Sequence, residues 1–376
     1  SDSARRAAMG MCDNGEGQEG VRTVFAQAKA GAARAVSGLA AVAASTDPTD
    51  KAGSIRAMRL VIYLALMAMS TPLLLPGLVF YMVPIVAARG RVSGTAYAPF
   101  IARLHYHLLG SRLDPAALAL ARGLPATNRV AMVLLMKPMV WAARLSGYLP
   151  PTLRYPARRP TPFFEAVAAR CEFFDQVLLT QAADGAQVVI LGAGWDTRAY
   201  GLLAGRTVDL FEVDTPGTQA VKRAAVNKAG LDASRVVFVP CDFNRQSWLD
   251  ALKGYGFDPD KRTVVLWEGV TMYLEEHAID GTLRAIGSLP AGSCIAFDFF
   301  SREWLDSAEG ERMRRSEQAI YGEQWTFGFP VVPDLTDRLR DYLEKRGLDL
   351  RDHRPLGEEA KGALPYGGLA LASTPV

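Results

Sequence analysis

Cysteine is scarce in this chain. Its 376 residues hold four, Cys12, Cys171, Cys241 and Cys294, none in a C-x-x-C pair. That spacing argues against a disulfide framework and a thiolate zinc site, and points to a reducing compartment. Histidine is equally sparse, and His105, His107, His277 and His353 form no ligand cluster, so no metal is expected. His105 and His107, two apart in RLHYHLL, read as an interfacial or helix-surface pair rather than a metal site or base. Acid is nearly missing from residues 51–159, where 14 Lys and Arg face one carboxylate, Asp114, for a net charge of +13. Residues 1–50 carry a net −1 and the remainder −9. Such asymmetry predicts a polyanion facing the middle of the chain, either nucleic acid or anionic lipid.

Charge disappears altogether from the 29 residues 60–88, LVIYLALMAMSTPLLLPGLVFYMVPIVAA, bracketed by Arg56 and Arg59 and by Arg89 and Arg91. A membrane span needs about 20 apolar residues, so this run selects lipid over nucleic acid. It begins too far into the chain for an ordinary secretory signal. Pro72, Pro76 and Gly77 allow two shapes, one kinked span or a re-entrant hairpin; length favours the single span. A second apolar stretch, 130–149, contains Lys137, Pro138 and Arg144. It reads either as an interfacial amphipathic helix with Trp141 and Tyr148 at headgroup level, or as a core helix of a helical subdomain. Residues 20–45 are Ala-rich, basic and free of acid, a composition similar to an organellar transit segment or a loose amphipathic helix. Three regions follow: an Ala-rich flexible segment 1–50, a basic helical membrane-anchoring region 51–160, and a second domain 161–376.

In that second domain, short β-rich runs at 187–191, 207–213, 235–239, 263–267 and 293–299 alternate with helical patterns at 217–229 and 275–287. The alternation predicts an α/β fold with a doubly wound parallel sheet, and runs such as VVIL and TVVLW suit strands buried on both faces. A polar segment, 302–323, breaks the rhythm. A helix at 334–346 and late strands near 348–352 and 367–372 follow it. Ligands of such sheets bind outside the carboxyl ends of the strands. There stand Gly192, Ala193 and Gly194, then Asp214, then Asp242 and Phe243, then Glu268. A glycine loop with an acid 20 residues on reads as an adenosine site. The third glycine of a dinucleotide fingerprint is missing, and Thr197 and the acid Asp196 stand in its neighbourhood, which disfavours a nicotinamide-dependent oxidoreductase. Asp196, Asp214, Asp242 and Glu268 together suit a cationic adenosine ligand such as S-adenosyl-L-methionine. Asp196 as a helix cap and Asp242 as a turn residue are the structural alternatives.

The segments VVILGAGWDTRAYGL, LFEVDTPGTQAVKR, WEGVTMYL and FGFP resemble the leucine carboxyl methyltransferase family, across about 162–372. The resemblance implies a class I methyltransferase (Rossmann-like) fold, S-adenosyl-L-methionine as cofactor, and methyl transfer to oxygen. It also implies that Arg170 pairs with the cofactor carboxylate and that Gly192, Ala193 and Gly194 admit its methionine part. By the same resemblance Asp214 holds the ribose, Asp242 and Phe243 the adenine, and Glu268 the methionine side, with Tyr273 near the substrate. Trp195 and Gly201 depart from the family pattern; a hydroxyl acceptor would need a base, for which His105, His107 and Glu268 are the candidates, and none is assigned.

The expected protein is a membrane-attached O-methyltransferase acting on a lipophilic or membrane-presented carboxylate or hydroxyl. Its expected partners are membrane lipids and that acceptor, not nucleic acid, with the second domain in a reducing aqueous compartment of a cell or organelle. On this reading Arg154, Arg158 and Arg159 sit between lipid and active site. The alternative is a methyltransferase-fold structural or assembly subunit of a membrane complex.

Overall fold

The structure is a computed structural model that describes residues 51–357 and 364–375. The Ala-rich segment expected over 1–50, with Cys12, lies outside the described residues. The first described element, α1, is one helix from Lys51–Ala87 that continues through Pro72, Pro76 and Pro84. The hairpin alternative is therefore replaced by a single helix. Each interior proline removes a hydrogen bond, and packing against a neighbour offsets the loss. Gly77 lies so close to the next helical segment that a Cβ there would come within 2.8 Å of the Leu134 backbone.

That neighbour begins at Asn128, whose side chain caps the amides of Val130 and Ala131, and passes through a π-helical turn at Met132–Met136. It continues as a helix over Lys137–Ser146. Stretch 130–149 thus has a packed face, as the core-helix reading expects, and an exposed one. Met136, Val140, Ala142 and Ala143 are buried, whereas Trp141 and Leu145 are 61% and 74% exposed. Tyr148 packs on Tyr63 of α1 with ring centroids 5.4 Å apart.

In chain order the labelled helices are α2, Tyr97–Leu109; α3, Pro115–Ala121; α4, Lys137–Ser146; α5, Ala166–Gln181; α6, Pro216–Ala229; and α7, Trp248–Lys253. They continue with α8, Glu276–Gly287; α9, Ala308–Tyr321; and α10, Leu335–Glu344. The strands are β1, Gln187–Leu191; β2, Asp209–Asp214; β3, Val236–Pro240; β4, Thr263–Trp267; β5, Cys294–Phe300; β6, Asp349–Leu356; and β7, Gly367–Ser373. One seven-stranded sheet forms in the order β3-β2-β1-β4-β5-β7-β6. Neighbours among β1 to β5 pair in parallel, and β7 enters antiparallel to both β5 and β6.

The strand alternation explains the uninterrupted apolar runs. Val189, Leu191, Val265 and Trp267 enter one core, and Val188, Ile190, Val264 and Leu266 enter the other. Two expectations change. The polar segment 302–323 is mostly helical, with Ser307 capping α9 through the Gly310 amide. Only Gly310 and Ile320 of α9 are buried, so no apolar stripe announces it. Strand β6 extends to Leu356, beyond the expected 352, because a sheet edge tolerates the polar run Arg351–Arg354.

The segment between α1 and α2 lies across the sheet's carboxyl end. The Ser93 amide donates to Thr218 Oγ1 at 3.0 Å, and a Cβ on Gly217 would fall 1.9 Å from the Arg91 carbonyl. Gly217→Ala is expected to cost about 1–3 kcal/mol through overpacking. Gly205→Ala, where a Cβ meets nothing within 4 Å, serves as the control. Urea unfolding followed by fluorescence checks both; equal midpoints for the two variants would mean that this contact is slack.

Candidate active site

Strand order reverses at β1, which lies between β2 and β4, and a crevice opens there. Glycine is required at its floor. Gly192 has φ 64°, and a Cβ there would come within 2.3 Å of Val270 after β4. Gly194 has φ 39° and faces Ala96 of the crossing segment. The crevice is a cavity of about 430 Å³, within the range of small-molecule sites. Arg170, Gly192, Ala193, Gly194, Asp214, Asp242, Phe243, Glu268 and Tyr273 all line it.

The helical region contributes as much wall as the sheet. Ser93, Thr95, Ala96, Pro99, Phe100 and Arg103 line the same cavity, and Glu317, Glu323 and Trp325 close its far end. Sequence reasoning missed all of these. Asp298 and Arg198 were missed too, although both left a signal. Asp298 is an acid inside the apolar strand CIAFDFF, where burial demands a partner. Arg198 stands inside the glycine-loop motif itself.

Of the four acids expected to favour a cationic ligand, Asp196 and Glu268 are already paired with arginines. Arg103 donates to Asp196 at 3.1 Å and to Glu268 at 2.9 Å. Arg198 binds the same two carboxylates and reaches Asp175 at 2.6 Å. Arg170, expected to be open to a ligand carboxylate, lies 3.2 Å from Glu268 and 3.4 Å from Asp298. Burial pushes the Glu268 carboxyl up, but the guanidiniums of Arg198, Arg103 and Arg170 outweigh it and hold the group at about 2. Asp196 is likewise held well below the carboxylate range, burial being outweighed by Arg198 and Arg103. Asp196 also accepts from the Arg198 amide at 2.7 Å, a local turn bond rather than a long-helix cap.

Other expected positions shift as well. His105 is buried at 4% exposure, not on a helix surface, and burial lowers its pKa to about 4. His107 Nδ1 accepts from the Asp114 amide. Arg154 and Arg158 bind Glu165, and Arg159 lies 3.9 Å from Glu172, so these arginines brace the start of α5.

The residues present fit S-adenosyl-L-methionine. Asp214 Oδ2 accepts from the Gly194 amide and Oδ1 from the Thr215 amide, both at 2.6 Å. A carboxylate offers about four acceptor sites, so capacity remains for a ribose diol. Arg103 Nε is a buried donor without a partner among the described residues, suited to a ligand carboxylate. Lys222, paired with Glu212 at 2.7 Å, bonds the Ala193 carbonyl at 3.3 Å and props the glycine loop from beneath.

A parallel sheet of this order, with one antiparallel strand and a glycine loop facing an acid across the switch point, defines a class I S-adenosyl-L-methionine-dependent methyltransferase. The family model for leucine carboxyl methyltransferase matches residues 126–287. A protein of Mycobacterium tuberculosis named provisionally as an S-adenosyl-L-methionine-dependent methyltransferase is 39% identical over 216 residues, covering 54% of this chain and 67% of that protein. One of the same provisional name from Mycobacterium marinum is 33% identical, covering 53% of this chain and 70% of its own length. An O-methyltransferase family protein from Burkholderia thailandensis overlays with a TM-score of 0.39 at 15% identity, over 56% of this chain and 57% of that one. The chain belongs to the leucine carboxyl methyltransferase family and is an S-adenosyl-L-methionine-dependent methyltransferase. The alternative of a non-catalytic subunit is set aside on that membership.

Removing one member of a buried ion pair costs about 3–5 kcal/mol, because the others remain charged and dry. Arg198→Met is expected to lose that much. Glu268 and Asp196 titrate below their unfolded values of about 4, so their stabilisation is complete above that pH and is lost as pH falls toward 2. Arg198→Met should therefore flatten the decline of stability between about pH 4 and pH 2, read by thermal denaturation at each pH. An unchanged slope would remove the network as its cause.

Proposed function

We propose that this methyltransferase is membrane-attached and methylates an oxygen of a lipophilic acceptor drawn from the bilayer surface. One observation carries the attachment. Helix α1 is long and apolar enough to cross a membrane and leaves Met58, Met69, Leu73 and Phe80 about half or more exposed. Its packed neighbour α4 leaves Trp141 and Leu145 exposed as well. The last turns of the uncharged run pack into the protein, with Met82, Ile85 and Val86 buried, so the part offered to lipid is roughly 30 Å long at 1.5 Å per residue, about the thickness of a hydrocarbon core. Arg56 and Arg59 flank its exposed start, where basic side chains meet anionic headgroups.

Within the cavity, Asp214 holds the ribose, Asp242 and Phe243 the adenine, and the backbone of Gly192, Ala193 and Gly194 the methionine chain. Arg103 and Arg170, oriented by Glu268, meet the cofactor carboxylate. The bound cofactor supplies an electrophilic methyl group; the chain's part is to align the acceptor oxygen and exclude water. Tyr273 stands on the acceptor side.

Two measurements bear on this. Asp214→Ala is expected to weaken S-adenosyl-L-methionine binding about tenfold or more, a charged hydrogen bond contributing about 1.5–3 kcal/mol; calorimetry that finds unchanged affinity in the folded variant removes Asp214 from the ribose. The full chain should float with anionic vesicles after a high-salt wash, and Met69→Glu with Leu73→Glu should leave it in the soluble fraction. Flotation unaffected by the double substitution would exclude α1 as the anchor.

A further inference from the structure

The far end of the cavity is chemically unlike its cofactor end. Phe163, Val167, Phe300, Met313 and Trp325 make it apolar and largely aromatic. Arg103 and Arg170 are the cationic side chains on the cavity wall among the described residues, and both are engaged by Glu268. Two carboxylates stand at this end, and they differ. Glu323 is consumed by the crossing segment, accepting from the Gly94 amide at 2.6 Å, Thr95 Oγ1 at 2.6 Å and Ser93 Oγ at 3.2 Å. Glu317, one helical turn from Met313 on the cavity face of α9, has no hydrogen-bond or ion-pair partner among the described residues. Nearby, Trp325 is 5% exposed, and its Nε1 makes no hydrogen bond of ordinary geometry, although the Tyr273 hydroxyl stands within its reach. A buried donor and a free carboxylate thus flank one apolar space.

We propose that Glu317 is the proton acceptor for methyl transfer, and that the acceptor is a neutral hydroxyl on an apolar, ring-bearing body rather than a carboxylate. This rests on the O-methyltransferase reading above and narrows it. A carboxylate entering here meets Glu317 and Glu323 with no uncommitted cation to receive it, and juxtaposed like charges repel. A hydroxyl meets a lone-pair acceptor, Glu317, and a donor, the Trp325 indole. In the transfer, the hydroxyl proton passes to the Glu317 carboxylate. The acceptor oxygen bonds to the methyl carbon, and the carbon–sulfur bond breaks with its electron pair remaining on sulfur. Neutral ether and neutral thioether result, and the proton on Glu317 then leaves to solvent. Burial, and after it the charge of Glu323, raises the Glu317 carboxyl to about 7, where a general base is most effective. Tyr273, Tyr321 and Tyr81 are the other titratable groups facing Glu317, and all are phenols that remain neutral at that pH.

The test uses the full chain in detergent, with 1-naphthol and 1-naphthoate as matched probes. Calorimetry in the presence of S-adenosylhomocysteine should find naphthol bound at least about tenfold tighter than naphthoate at pH 8, a gap that narrows at pH 6 as Glu317 takes up a proton. E317Q should strengthen naphthoate binding at pH 8 by about tenfold, leave naphthol within about threefold, and abolish the pH dependence. In turnover, E317Q should lower kcat by about 10²- to 10⁴-fold and remove the acid limb near pH 7. Naphthoate preferred by the wild type would overturn the hydroxyl assignment while leaving O-methylation standing. Binding of neither probe would overturn it together with the lipophilic-acceptor reading. A probe preference that E317Q does not change would remove Glu317 from the role. Retained S-adenosyl-L-methionine affinity in E317Q confirms that the variant is folded in each case.

Discussion

Asp196 and Glu268 share the guanidiniums of Arg103 and Arg198 in a space that water barely reaches, and the architecture of the molecule turns on that arrangement. Each of these charges would cost several kcal/mol to bury alone. Arg103 comes from α2 in the helical region, Asp196 and Arg198 from the loop after β1, and Glu268 from the end of β4. The set extends through Asp175 to Arg112 and Asp114, the N-cap of α3, and through Arg170 to Asp298 in β5. No single element can keep its own charges without the others. Among the described residues the helical region and the sheet therefore meet around one site, and the crevice at the carboxyl end of the sheet is roofed.

This arrangement also sets the electrostatics that a ligand meets. Asp196 and Glu268, which in isolation would attract any cation, are paired with arginines and held in place. They act instead as orienters, fixing Arg103 and Arg170 so that an anionic group finds preorganised donors. The polarity of the cavity then runs from that arginine-rich end, past the glycine loop and Asp214, to the apolar end at Phe300 and Trp325. The crossing segment at Ser93–Ala96, held down by Glu323 and Thr218, supplies the roof. A roof that excludes water is what methyl transfer requires, since a reactive methyl donor must meet its acceptor and not solvent.

Much of the sheet was legible because its signals are local. Strands buried on both faces write continuous apolar runs, so β1 and β4 were located to the residue and the others within two at most of their ends, except β6. Gly192 and Gly194 were legible because positive φ and close backbone approach leave few alternatives to glycine. The polar helix α9 was not, since a helix that presents little to the core carries no periodic apolar stripe. Nor was β6, whose edge position frees it from the core's demand for apolar side chains. Arg103 was visible only as one of many positive charges, because nothing in its neighbours YAPFIARLHYHLL distinguishes an arginine aimed at a buried acid from one in solvent.

By itself the sequence determined the order of the strands' signals, the glycine loop, the acid that ends β2, the family and the cofactor. Each is written in contiguous residues whose local geometry admits few alternatives. Only the tertiary structure decided which charges are free and which are spent. It joined Arg103, Arg170 and Arg198 to acids up to 165 residues away, buried His105, and brought Glu317 and Trp325 into the wall of the cavity that the glycine loop also lines. Partners so distant in the chain leave no periodicity. Their pairing is enforced by the cost of leaving a charge dry and alone, and that cost exists only once the core has closed around them.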